Sequence, residues 1–92
     1  MKAQIIYADG RVTTFKPKNG TDFSLEELQN VVGGYIEILD LHNGQIMVVN
    51  EEGKLKGLPV NTIATEAYCM RFQSYFGLIV GDVVLCNKEM VK

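Results

Sequence analysis

Catalysis or metal binding in this chain would have to be built from few groups: one histidine, His42, the adjacent Glu51 and Glu52, Asp82 behind a glycine, and the cysteines Cys69 and Cys86. His42 sits beside an Asn43-Gly44 turn signal. A nucleophile and base must lie within hydrogen-bond reach of each other, and a turn-flanking polar side chain is ordinarily just solvated. Glu51 and Glu52 are neighbours in a turn-like stretch, which does not place two carboxyl groups across a substrate as paired acid/base work requires. Asp82 precedes an apolar run, where a carboxylate needs a partner, and backbone amides at a bulge are the expected one. The cysteines have neither CxxC spacing nor a set of histidines to complete a zinc site. They read as two buried free thiols, packed as small hydrophobes in a reducing cytosol, although a disulfide between them stays geometrically open. Neither Gly-rich phosphate motif is present, and no aromatic and basic interleaving of the kind that stacks single-stranded bases. No catalytic residue, metal site or cofactor is therefore assigned.

Binding chemistry is better represented, in the stretch NEEGKLKGLPVNTIAT at positions 50–65. Gly53 lets the chain reverse, and Gly57 with Pro59 forces an extended approach to a helix starting near Asn61 and Thr62. A helix start presents free amides and the positive end of the macrodipole, so Lys54, Lys56, Asn61, Thr62 and Thr65 make a candidate anion site. Tyr68 and Arg71 follow Ala64 at helical spacing and extend the candidate toward a base or ribose. The competing assignment leaves Asn61 and Thr62 as caps, Tyr68 as core, and the cations as solvated surface charges.

Composition frames these groups. At 92 residues with 47% hydrophobic content, residues 1–92 read as one globular domain. A net charge of -2 excludes a large positive field for nonspecific nucleic-acid binding. No apolar run approaches the ~20 residues that span a bilayer, and the first residues alternate instead of forming a signal-peptide core. A soluble, untargeted protein without membrane or nucleic-acid partners is expected.

The elements follow from periodicity and turn residues. AQIIYADGRVTTF reads as a hairpin whose Asp9-Gly10 turn sets Tyr7 opposite Val12 and Ile5 opposite Thr14. In FSLEELQNVVGG, Ser24 and Glu27 have capping-box spacing, Phe23 can staple onto Leu28, and Gly33 is a natural left-handed stop. Gly34 is left for a close backbone approach or a turn. YIEILDLHNGQIMVVN is a second hairpin, with Leu41 opposite Ile46 and Leu39 opposite Val48. NTIATEAYCMRFQSYFG reads as the longer helix, with Ile63, Ala67 and Met70 on one side and Gly77 at its end. LIVGDVVLC closes the series as a central strand buried on both faces, where Gly81 marks a bulge or close contact. The class is α+β in the order β-β-α-β-β-α-β: an antiparallel or mixed sheet of about five strands with both helices on one face.

The order of GGYIE, NEEGKLKGLPVN, IAT and GDVV across residues 24–86 resembles a family of small proteins of unknown function encoded by bacteriophages, plasmids and other mobile elements of bacteria. That resemblance implies a mobile-element protein in the bacterial cytoplasm and brings no activity to any residue. Together with the missing catalytic groups, it sets the expected function as binding. The leading expectation is sequestration of a small nucleotide-derived immune signal against host defence. The alternative is a host-takeover protein that inhibits a bacterial protein through an exposed strand edge or helix face. A homo-oligomer is expected, because ligand pockets of ~300 Å³ or more often form between subunits of so small a chain.

Overall fold

The computed structural model describes residues 3–72 and 78–91, with the side chains of 70–72 outside that description. Gly77, the expected helix stop, lies outside the described residues. The strands are β1 (Ala3–Ile6), β2 (Val12–Phe15), β3 (Ile36–Asp40), β4 (Gln45–Asn50) and β5 (Val83–Asn87), and the helices α1 (Leu25–Val32) and α2 (Thr62–Phe72). All five strands join one antiparallel sheet in the order β2-β1-β5-β4-β3, so the α+β class and element order are those read from the sequence. The apolar run at the chain's end takes the central place, because β5 can be covered on both faces only between the two hairpins.

Both faces of the sheet carry a core, and this changes the expected layering. Ala3, Ile5, Ile46, Val48, Val84 and Cys86 pack with Phe23, Leu28 and Val32 of the α1 region. Their sequence neighbours Ile6, Met47, Val49 and Val83 point the other way and pack with Ala64 of α2. The helices therefore lie on opposite faces and not on one. Met47, Val48, Val83 and Val84 are 0% exposed, and burying side chains of this kind contributes roughly 1.5–3 kcal/mol each. A single helical layer would have left one of these alternating sets in water.

Both hairpins differ by one residue from the expected pairing. Ile6 lies opposite Val12 and Gln4 opposite Thr14, while Leu39 lies opposite Met47 and Asp40 opposite Ile46. A two-residue type I′ turn needs positive φ at both central residues, but Asp9 and Asn43 do not adopt it. Instead the Asp9 carboxylate accepts the Arg11 amide, the Asn43 carbonyl accepts the Gln45 amide, and three-residue loops close through Tyr7 N–H to Arg11 O and Leu41 N–H to Gln45 O. One residue of shift swaps the faces of the partner strand, which moves Leu39 onto the α2 side.

The capping box forms as read. The Ser24 hydroxyl accepts the Glu27 amide at 3.1 Å and the Glu27 carboxylate accepts the Ser24 amide at 2.9 Å, while Gly33 stops the helix at φ 82°. The amide of Ser24, with that of Lys18 behind it, holds the Glu27 carboxyl below the usual glutamate range. Because folding favours the ionised form, this contribution is present above the ordinary glutamate pKa and is lost as pH falls through the lowered folded value. Ser24→Ala removes the cap and is expected to cost about 1 kcal/mol in chemical denaturation. Alanine keeps the backbone amide that holds Glu27, so by NMR its titration should stay below the ordinary glutamate range, and a full return to that range would show that losing the hydroxyl displaces the amide.

Candidate functional site

The stretch 50–65 is built around side chains that point inward. Asn61 is 0% exposed. Its Nδ2 donates to the carbonyls of Ile6 and Gly81, each at 2.8 Å, and its Oδ1 accepts the Ala64 amide at 3.0 Å. The last bond caps α2, and the first two tie that cap to the end of β1 and the entry to β5. Thr65 adds a reciprocal pair, its Oγ1 accepting the Ile79 amide at 2.9 Å and meeting the Ile79 carbonyl at 3.3 Å. At the other end of the stretch, the Asn50 Nδ2 donates to the carbonyl of Val32 at the end of α1, and its Oδ1 accepts the Glu52 amide.

Several glycines of the stretch and its surroundings make room for these contacts. A Cβ on Gly34 would stand 2.8 Å from the Lys56 Nζ and 3.1 Å from the Asn50 Nδ2. On Gly53 it would stand 2.8 Å from a Val80 methyl, and on Gly81 2.8 Å from the Leu58 Cδ1. Leu58 thus fills a notch between two backbone segments, closed by the Gly81 amide donating to the Pro59 carbonyl at 2.8 Å and by the Val60–Val80 bridge. Asp82 accepts the Ala8 amide at 2.9 Å, the backbone partner expected of it.

Among the described side chains, the proposed anion-site residues do not converge. Asn61 and Thr65 are engaged as above, and Thr62 is exposed at the first position of α2. The Asn61 and Thr65 bonds fix the rotation of α2 so that Ala64 faces the sheet, with Ala67 and Tyr68 packed beside it and Ile63 left 40% exposed. The side packed on the sheet therefore carries Ala64, Ala67 and Tyr68; of the expected Ile63, Ala67 and Met70, Ile63 lies off it and the side chain of Met70 lies outside the described residues. Burial, and next the Glu37 carboxylate, push the Tyr68 hydroxyl pKa upward. Lys56 lies 4.0 Å from Glu52 Oε1, in an open groove beside Gly34 and Tyr35. Lys54 lines a different cavity. The side chain of Arg71 lies outside the described residues. Cys86 is buried, which pushes its thiol up to about 11, whereas Cys69 is only half-buried, short of the full burial expected of it.

The cavity that holds Lys54 is a cleft of about 260 Å³ on the α2 side of the sheet edge. Leu39 and Val49 contribute from the sheet, Leu55, Leu78, Ile79 and Val80 complete the apolar lining, and Glu37, Glu51 and Lys54 bring the charge. Leu55 is 87% exposed. An apolar residue between two lysines in a turn was the one signal in the sequence that pointed here; Glu37 and Leu39 became visible only once the register turned them to this face. Among the described residues no group of His, Cys, Asp and Glu is placed to hold a metal ion, and no helix is long and apolar enough to cross a membrane.

The fold and cleft define a small antiparallel α+β domain with an edge cleft and no assembled catalytic constellation among the described residues. The chain belongs to the DUF3846 family, described as a domain of unknown function, whose family model matches residues 1–90. No curated protein and no solved structure matches it.

Substitutions at Asn61 and Gly81 test this arrangement. Asn61→Asp replaces two donated bonds by a charge facing two carbonyl oxygens, so the carboxyl pKa should rise in the folded state. Stability should be lowest at neutral pH and recover as pH falls toward the ordinary aspartate value of ~3.9, where the group is protonated in both states. A variant equally stable across that range would show that Asn61 does not face those carbonyls. Gly81→Ala and Gly44→Ala both place a side chain at positive φ, for about 1–2 kcal/mol. Only Gly81 also meets Leu58, so its cost should exceed that at Gly44 by a further ~1–3 kcal/mol. Adding Leu58→Ala in a double-mutant cycle should couple with Gly81→Ala and not with Gly44→Ala.

Proposed function

We propose that this protein acts by binding, and that the cleft over Leu39 and Val49 seats an apolar side chain of a protein partner. The cleft's composition carries this assignment: six aliphatic residues line it, while the charges are two carboxylates, Glu37 and Glu51, against the single ammonium of Lys54. An apolar anchor with polar groups around it is how buried contacts between proteins gain affinity. A nucleotide-derived signal fits less well. Its phosphates would meet one cation and two carboxylates, and about 260 Å³ falls below the ~300–1,000 Å³ of ordinary small-molecule pockets. The resemblance to phage and mobile-element proteins supports a bacterial host protein as the partner, met in the host cytoplasm and inhibited by occupancy.

The test titrates isotope-labelled protein with short arginine-flanked peptides carrying leucine, phenylalanine, alanine or aspartate at the centre, and separately with ATP and a cyclic dinucleotide. Amide shifts at Leu39, Val49, Leu55 and Ile79 are expected with the leucine and phenylalanine peptides. Leu55→Glu should weaken that binding by about 1.5–3 kcal/mol, the value of a buried leucine side chain. Its fold should be unchanged, since Leu55 is 87% exposed. If the nucleotides shift these amides and the peptides do not, sequestration of a nucleotide signal replaces protein binding as the function.

A further inference from the structure

The cleft adjoins an open sheet edge. Strand β3 ends the sheet, and among the described residues no strand pairs with its outer side. The alternation of an antiparallel ladder decides which backbone groups face outward. Tyr35 O accepts the Glu51 amide and Leu41 N–H donates to Gln45 O, so odd-numbered residues of this strand bond to β4. The amides and carbonyls of Ile36, Ile38 and Asp40 therefore point away from the sheet. Ile38 is 46% exposed on one face of the edge, and Glu37 and Leu39 border the cleft on the other.

Resting on the protein-binding function above, we infer that β3 receives an extended basic segment of the partner as a sixth strand, with one apolar side chain of that strand lowered into the cleft. Adding a strand satisfies the outward row of donors and acceptors, and pockets for alternate side chains supply the specificity. Charge selects the partner's chemistry. Glu37 and Asp40 are exposed along the edge and Glu51 stands at its end, with Lys54 the cation in the cleft. A lysine or arginine next to the anchor falls on the face of Asp40, and one two residues away falls on the face of Glu37, where opposite charges across neighbouring strands stabilise pairing and like charges oppose it. A second copy of this chain offering its own β3 would line up four carboxylates, Glu37 and Asp40 of each copy, along one seam with no cation on either strand, which disfavours self-pairing there.

The probe is a synthetic peptide of about ten residues with one central valine flanked on both sides by lysines, so that cations lie on both faces, long enough to cover a strand of ordinary length. On binding, the Ile36, Ile38 and Asp40 amides should gain protection from hydrogen exchange. N-methylation of alternate peptide residues should weaken binding about tenfold or more in one phase and leave it unchanged in the other. Replacing lysine by glutamate in the peptide should abolish binding. Ile38→Pro removes an outward donor without touching the bonds to β4, so it should lose the peptide and keep the fold, while Ile38→Thr should keep both. Peptide binding that shifts Leu55 and Ile79, with the three outward amides unprotected and both methylation phases equal, overturns strand addition and leaves the cleft as a side-chain pocket. Failure of every peptide, with nucleotide bound instead, overturns the protein-binding function itself. Protection of the three amides by concentration alone, without peptide, overturns the choice of partner in favour of a second copy.

Discussion

The buried amide of Asn61 is the point from which the rest of this structure is held. One side chain at 0% exposure joins the end of β1, the entry to β5 and the start of α2 through three hydrogen bonds. Both of its donors and its carbonyl are engaged, so the polar group buried there carries no unmet desolvation cost. Those bonds reach across 55 and 20 residues of sequence, and they couple the N-terminal hairpin to the final strand before any apolar contact is counted. With that junction set, α2 can rotate to only one position, Ala64 toward the sheet.

Around the junction, the stretch 50–65 acts as an internal brace. Asn50 closes the end of α1, Leu58 fills the notch between Gly53 and Gly81, and Thr65 clamps Ile79. A polar, glycine-rich connection resembles a ligand loop because both need small residues and hydrogen-bonding groups. Here the backbone itself is what those groups bind. What remains free of internal duty is Leu55, Lys54 and Glu51 on the turn, with Glu37 and Leu39 facing them across the cleft.

The elements and their order were legible in the sequence because each has a local cause. The Ser24–Glu27 box, the left-handed stop at Gly33 and the doubly apolar run from Val83 are interactions between near neighbours or preferences of single residues. The candidate site was legible only in part. Asn61 reads from its neighbours either as an anion-site residue or, with Thr62 as the other choice, as a cap, and whether its amide meets a ligand, solvent or two distant carbonyls depends on residues far along the chain.

The α+β class, the two hairpins, the capped first helix and the central final strand follow from the order of residues alone, since periodicity and turn chemistry act over a few residues. The hairpin registers, the opposite placement of the helices and the location of the cleft were set only in the folded chain, the last two by contacts between its distant parts. A side-chain hydrogen bond at Asp9 or Asn43 lengthened each turn by one residue, and a strand with period two converts one residue into a change of face. That exchange put Leu39 beside Met47 on the α2 side and left the edge of β3 open beside an apolar hollow.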